Sequence, residues 1–402
     1  MGRDERGRRF RARVLAAGVI ALAGAGATRA SDHLDSAAVV ADPAADIGDV
    51  YAWMSPDARR LNLAMTIVGK AFSDRHTYVF HVDSGPRFGA TQASVEISCR
   101  FDGATADCRA GDFDRVRGAA GGPEGLAGAE GRMRVFAGPR DDPFFNNVRG
   151  TRDAYDAAGA AVRAGAALDR AGCPAFDAGV SRDILRRWGH TAGGPAENLL
   201  AGWTPAALVV SVEVDAAAPG GRMLAVWAET ATAEGRIDRM GRPLTGNALL
   251  GTLGPAETAE TLKAQYNRAT PAAADAFVGE IERSLALYDG FDGECGNAWL
   301  ADADSGPSRY LPLATLLADD RLWVNGASGT CTELFAVERA ALSGRRDLAG
   351  DCGGRAPNLD AMDAYRALLV NGTTSGVSDG VDRDEIGAGA TFPFLAAPGV
   401  TR

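Results

Sequence analysis

Between residues 49 and 137 apolar and polar side chains alternate in short runs, the period of a half-buried β-strand. The runs are Asp49–Met54, Arg60–Val68, Thr77–Val82, Ala93–Phe101 and Arg132–Ala137, and they carry the aromatic and β-branched residues that strands favour. Turn residues separate them at Ser55-Pro56-Asp57, Asp83-Ser84-Gly85 and Asp102-Gly103. Within Tyr78–Asp83 the alternation puts Tyr78, Phe80 and Val82 on one sheet face and Val79, His81 and Asp83 on the other. Strand signal returns at Pro205–Val214 and Arg222–Ala228, around a turn with Pro219-Gly220-Gly221, and the pair reads as a hairpin completing the same sheet. Short strands at this spacing indicate an antiparallel sandwich or a barrel-like sheet.

Elsewhere the period changes to that of a helix. Thr151–Ala171 and Val180–Trp188 read as helices inside a less regular stretch. After Gly254 helix dominates, at Glu257–Ala269, Ala272–Tyr288, Pro312–Ala318, Thr332–Ala341 and Leu359–Leu369. The second of these sets Phe277, Ile281, Leu285 and Tyr288 on one stripe. Ser31–Ile47 reads as an extended lead-in, because Pro43 disfavours helix at Asp42. Gly118–Gly131 reads as a loop, and residues 372–402 as a tail of turns packed back over the body. The expected fold is mainly β with appended helices (α+β). An antiparallel β-sandwich-like core spans about 45–230 and a helix-rich portion about 255–370, in one domain from residue 31.

The first thirty residues change the picture of where the chain works. Arg8, Arg9, Arg11 and Arg13 precede a short apolar run, Val14–Ala27, with small residues at Ala25, Ala27 and Ala30. This is the pattern of a secretory signal cleaved near Ala27 or Ala30, so the expected location is periplasmic or secreted. Without residues 1–30 the formal net charge moves from −10 to −15. An acidic surface argues against nucleic acid as a partner, and the mature chain has no membrane-length apolar run. Six cysteines follow the signal: Cys99, Cys108, Cys173, Cys295, Cys331 and Cys352. An even count in an exported chain indicates disulfides. Proximity favours Cys99–Cys108 and Cys331–Cys352, leaving Cys173–Cys295, among the fifteen connectivities six cysteines allow.

Four stretches carry candidate chemistry. The lead-in holds Asp32, His33, Asp35, Asp42, Asp46 and Asp49, and the third strand holds His81 and Asp83. If the lead-in folds against that strand, His33, Asp35, His81 and Asp83 supply mixed nitrogen and oxygen ligands for a divalent metal such as zinc, manganese or iron. The bland alternative is that the aspartates cap turns and the histidines bond locally. Arg140-Asp141-Asp142, followed by Phe144 and Phe145, reads either as a polar-ligand site or as a structural Arg–carboxylate pair with phenylalanines plugging the core. The last stretch, Asp379–Glu385, offers Asp382, Asp384 and Glu385 as an oxygen set suited to calcium, and Thr391-Phe392-Pro393-Phe394-Leu395 follows it.

The segments SDHLDS…ADPAADIGDVYAW, YVFHVDSG, FAGPRDDPFF, RMGRP, DDRLWVN and DGVDRDE…TFPFLAAPG together resemble the bacterial exported family catalogued as domain of unknown function 4331. The matches are scattered from Ser31 to Gly399. The resemblance implies export and a single integrated domain, and it implies no activity. The chain departs from the family habit at Asp83-Ser84-Gly85, where members often carry a longer Asp- and Gly-rich turn; this argues against a calcium loop there.

The combined reading is an exported ligand-binding or structural component, with metal binding as its sharpest chemical hypothesis. Two other classes stay open. One is a metal- or carboxylate-dependent hydrolase using His33, His81 and nearby acids. The other is a haem-binding or redox accessory protein, for which Met54 and Met65 are the available sulfur ligands.

Overall fold

The computed structural model describes residues 33–252 and 254–399; the expected signal, with Ser31 and Asp32, lies outside them. The strands, numbered in chain order, are β1 (Ile47–Met54), β2 (Arg60–Ile67), β3 (Thr77–Gly85), β4 (Ala93–Asp102), β5 (Thr105–Ala110) and β6 (Asp114–Ala119). They continue with β7 (Leu126–Ala127), β8 (Met133–Pro139), β9 (Ala206–Glu213), β10 (Met223–Thr232), β11 (Gly235–Met240) and β12 (Leu322–Asn325). Two sheets result. One has the order β1-β2-β9-β8-β7, the other β11-β10-β3-β4-β5-β6, with β12 also paired to β10. The pairings are antiparallel.

The alternation sorts side chains as the sequence implies. Leu61, Leu63, Met65, Leu208, Val210 and Val212 of the first sheet share one buried cluster with Tyr78, Phe80, Val82, Ile97 and Val226 of the second. Two inner faces interdigitating in this way make a sandwich core. His81 and Asp83 point to the outside of the seven-stranded sheet, opposite Tyr78, Phe80 and Val82. A second core lies in the helical portion. It includes Phe277, Ile281, Leu285 and Tyr288, joined by Trp188, Phe144 and Leu368. The α+β expectation therefore holds.

Several expectations shift for identifiable reasons. Pro205–Val214 and Arg222–Ala228 do not form a hairpin: β9 lies between β2 and β8, and β10 between β3 and β11. Both strands are buried over most of their length, and the residues between them cross from one sheet to the other. The helix expected over Thr151–Ala171 is Val148–Arg163; Asn147, not Thr151, accepts the Gly150 N–H, and Gly165 takes a positive φ just past the end. The helix expected over Ala272–Tyr288 divides into a 3₁₀ segment, Pro271–Phe277, and an α-helix, Val278–Asp289. The one expected at Thr332 begins only at Ala336. A short helix, Ala37–Ala41, interrupts the lead-in. The disulfides are Cys99–Cys108, Cys173–Cys295 and Cys331–Cys352, the pairing that proximity favoured. Cys99 and Cys108 are register partners on β4 and β5.

The segment Gly353–Arg355 stitches the sheets together. Gly354 donates to the Trp323 carbonyl on β12, and Arg355 exchanges backbone hydrogen bonds of 2.9 and 3.0 Å with Ala52 on β1. Gly354 has φ +65°, and an added Cβ would lie 2.3 Å from the Ala52 carbonyl oxygen, so only glycine passes here. Next to it the Arg355 guanidinium pairs with Asp49 at 2.5 Å, both side chains buried. Its Nη1 also donates to the Val50 carbonyl, and the cation lies 4.2 Å from the Tyr51 ring. Removing one partner of such a pair leaves a buried charge uncompensated. Arg355→Met should therefore lose roughly 3–5 kcal/mol in urea unfolding. The double variant Asp49→Asn/Arg355→Met should be less destabilised than Arg355→Met; equal stabilities would show that the pair is not coupled.

Candidate functional site: a groove on the outer face of the five-stranded sheet

The outer face of the five-stranded sheet is built from cross-strand rows. Tyr51, Ala64, Val209 and Phe136 are successive register partners across β1, β2, β9 and β8. This apolar row is buried under the C-terminal tail, with Leu395 packed on it. One pleat further along, Trp53, Asn62, Ser211 and Arg134 are register partners in the same way. That polar row forms the floor of an open groove of about 860 Å³.

The walls come from distant parts of the chain. Phe392 and Phe394 of the tail form one wall, the Phe394 ring standing edge-on to Trp53 at 5.1 Å. Gly125 lets the tail close in, because an added Cβ would lie 2.9 Å from Phe392 and 2.3 Å from the Val135 carbonyl oxygen. Residues 329–331 form part of the rim, where Cys331 is tied by its disulfide to Cys352. The wall is thus held by the same segment that stitches the sheets.

Two guanidinium groups enter the groove. Arg134 pairs with the exposed Glu124 and covers the Phe392 ring at 4.7 Å. Arg60 has only neutral acceptors: Nε donates to Ser211 Oγ at 3.0 Å, and Nη2 to the Ser211 and Arg132 carbonyls at 2.8 and 3.1 Å. It makes no ion pair among the described residues, and partial burial pulls its pKa below the usual arginine value. Ser211 Oγ in turn donates to Asn62 Oδ1, which fixes the amide with its nitrogen left for other partners. Glu213, the cross-strand partner of Arg60, supports the Arg60 charge together with Asp57 and Asp114 without a direct ion pair, and the arrangement offers aromatic rings, an amide and a guanidinium on a rigid floor.

The residues singled out from sequence fall elsewhere. His33 is buried, its ring 5.4 Å from Trp203 and without a hydrogen-bond partner among the described residues. Burial lowers its pKa to about 4, so it is neutral. Asp35 accepts from Asn267. Nearby, burial raises the Asp46 and Asp238 carboxyls, with Asp35 adding repulsion to each. His81 stacks on Trp227 at 3.9 Å, with Glu229 at 3.5 Å and Glu96 at 3.8 Å. Asp83 pairs with Arg321 at 2.8 Å and accepts from Ser94. His33, Asp35, His81 and Asp83 do not come together as one ligand group.

Arg140 pairs with neither neighbouring acid. It lies over the Phe136 ring at 3.9 Å and donates to the Pro139 carbonyl, while Phe144 and Phe145 are buried as the structural reading required. Asp142 is buried and accepts from Tyr51 and Thr66. Asp141 meets Asp384 carboxyl to carboxyl, with Glu385 close by, and burial together with these charges raises it to about 7. The oxygen set in the tail is redistributed: Asp382 groups with Asp360 and Asp363, while Asp384 and Glu385 face Asp141. Burial and its acidic neighbours raise Asp360 to about 7.

Sequence reading singled out the Phe392–Phe394 stretch but missed Arg60, Asn62, Ser211 and Arg134 as partners, since only register brings them together. It also passed over Gly376-Val377-Ser378-Asp379-Gly380, which has the spacing of a nucleophile elbow. That stretch is not a strand-to-helix turn, and Ser378 is bonded to Asp363 rather than to a histidine.

Fold and groove together define a β-sandwich protein with an open, aromatic-walled groove on one outer face. No family model, no curated protein and no solved structure matches this chain.

Asp141 and Asp360 set a pH dependence. Their folded pKa values of about 7 lie above the ordinary 3.8, so the folded form holds more protons than the unfolded form between those values. Their stabilising contribution is complete below pH 3.8 and is lost as pH rises through about 7. Melting temperature measured from pH 5 to 8 should fall less in Asp141→Asn and Asp360→Asn than in the parent. Parallel curves would count against the raised values.

Proposed function

We propose that this is an exported ligand-binding protein and that the groove over Asn62 and Ser211 is its binding site. Three disulfides support export, because such bonds persist in oxidising compartments. Among the described residues no helix is long and apolar enough to cross a membrane, which leaves anchoring through such a helix without support there. The single observation that carries the binding reading is the groove itself, an open space of about 860 Å³ in which the Phe392 and Phe394 wall stands beside the polar Asn62 and Ser211 floor.

The other classes find less support. A hydrolase needs acids facing a substrate space; among the described residues Glu124 is the acid lining this groove and it is paired with Arg134, while His81, Asp83, Glu96 and Asp112 line a separate open groove of about 930 Å³ in which Asp83 is held by Arg321. A haem needs an axial ligand; among the described residues no histidine lines the groove, and Met54 and Met133, which border it, are buried members of the sandwich core. Of two groupings of potential metal ligands among the described residues, Cys173 and Cys295 beside Asp289 are joined in a disulfide, which leaves Asp360, Asp363 and Asp382, none of them lining the groove.

A fragment library screened by thermal shift, with hits mapped by hydroxyl-radical footprinting, tests the assignment. Hits should protect Phe392 and Phe394, and Phe394→Ala should weaken them about tenfold, or 1.4 kcal/mol. Hits that protect instead the 450 Å³ cavity around Leu262 and Ala286 in the helical portion would move the site there.

A further inference from the structure

Resting on the groove as the binding site, we propose that its ligand is an uncharged, proline-rich segment of another protein, held in the extended polyproline II conformation.

The free hydrogen-bonding groups of the floor row are donors. Arg60 Nε donates to Ser211 Oγ at 3.0 Å, and that hydroxyl passes its own hydrogen to Asn62 Oδ1 at 2.8 Å. The relay runs in one direction and ends on the Asn62 Nδ2 hydrogens, which have no acceptor among the described residues. Trp53, the register partner of Asn62, has its indole N–H likewise without an acceptor there. A ligand that suits this row brings acceptors and need not bring donors. Proline has that pattern, a carbonyl and no N–H. A polyproline II helix makes no internal hydrogen bonds, so its carbonyls stay open to a partner.

Charge points the same way. Arg134 is paired with Glu124. Arg60 faces Glu213 across the strand pair, and Asp57 and Asp114 act on it as well. Both cations of the groove are answered within the protein, and neither selects a charged ligand. A neutral segment matches that balance.

Ring geometry favours proline over a sugar. Trp53 and Phe394 meet at 76° with centroids 5.1 Å apart, and Phe394 and Phe392 meet at 77° and 5.7 Å. Rings set edge to face make ridges and clefts rather than a flat platform. The Arg134 guanidinium lies over Phe392 at 4.7 Å and takes one of its faces. A pyranose needs an open ring face to stack on and acceptors for its hydroxyl hydrogens. A pyrrolidine ring needs only a cleft between rings. The groove is open, so a segment of a longer chain can lie across it. Docking of proline-rich segments in aromatic-lined grooves is a recurring mode of recognition, and a preformed helix leaves little ordering to do.

The test is calorimetric titration of the mature protein with three uncharged probes: end-capped decaproline, an end-capped Gly-Ser peptide of the same length, and dextran fragments. Decaproline should bind at least tenfold more tightly than either of the others. Phe394→Ala should weaken decaproline at least tenfold. Trp53→Phe keeps a ring and removes the indole N–H, and Asn62→Asp exchanges an amide donor for an acceptor; each should weaken decaproline at least threefold, with folding checked by circular dichroism. Arg109→Gln, at an exposed position on β5, should leave binding unchanged. Dextran bound more tightly than decaproline, and lost in Phe394→Ala, would overturn the proline class and leave the groove as the site. Equal binding of decaproline and the Gly-Ser peptide would also rule out that class. Absence of binding to all three probes would sink the proline-rich ligand; the fragment footprint at Phe392 and Phe394 then still reports on the groove itself. Decaproline binding unchanged in both Phe394→Ala and Trp53→Phe, with the variants folded, would overturn both readings.

Discussion

Asp49 and Arg355 form an ion pair in which both side chains are buried, and they do so where the two sheets meet. The pair depends on backbone contact: Gly353 and Gly354 turn through positive φ, and Arg355 pairs with Ala52 as a one-residue strand. An arginine delivered this way cannot retreat to solvent without breaking the stitch between β1 and β12. Breaking the stitch in turn exposes an edge of each sheet, and free edges invite unwanted pairing. Two further buried pairs, Arg366–Asp379 and Arg242–Glu338, tie the tail and the segment after β11 to helices in the same fashion.

This constraint reaches the groove by two routes. Residues 331 and 352 are joined covalently, so the rim beside Met54 moves with the segment that holds Arg355. The tail runs from Asp379, held by Arg366 and the Asn147 amide, through Asp384 to Phe392 and Phe394. Asp141 also donates its backbone N–H to the Ala396 carbonyl. The aromatic wall is therefore fixed at both ends, the arrangement that leaves a binding surface little ordering to do. The floor is rigid for a different reason: four hydrogen-bonded strands set the spacing of Trp53, Asn62, Ser211 and Arg134.

The sandwich was legible where strands are rich in Val, Ile, Leu and aromatics, as in β1, β2, β3 and β9. It was not legible in β5 and β6, whose inward positions are Ala106, Cys108, Ala110 and Val116. Small residues bury well between neighbours but carry little strand propensity. The disulfide partners were legible because two pairs are close in sequence, leaving one choice for the third. The sheet membership of β9 and β10 was hidden, since adjacency in sequence favours a hairpin and only packing against both cores decides otherwise. For the site, composition drew attention to His33, His81 and the aspartates. Burial turned most of these into local partners, such as Asp142 under Tyr51 and Thr66, or Asp83 against Arg321. The groove residues are individually ordinary, and a cross-strand row needs register before it can be seen.

The account stands on the claim that the groove between the Phe392–Phe394 wall and the Asn62–Ser211 floor is a ligand site. Crystals of the mature protein soaked with a fragment library test this most directly. The account predicts fragment density against Phe392 or Phe394, with a polar atom within about 3 Å of the Asn62 amide. An empty groove with fragment density elsewhere on the protein would contradict it.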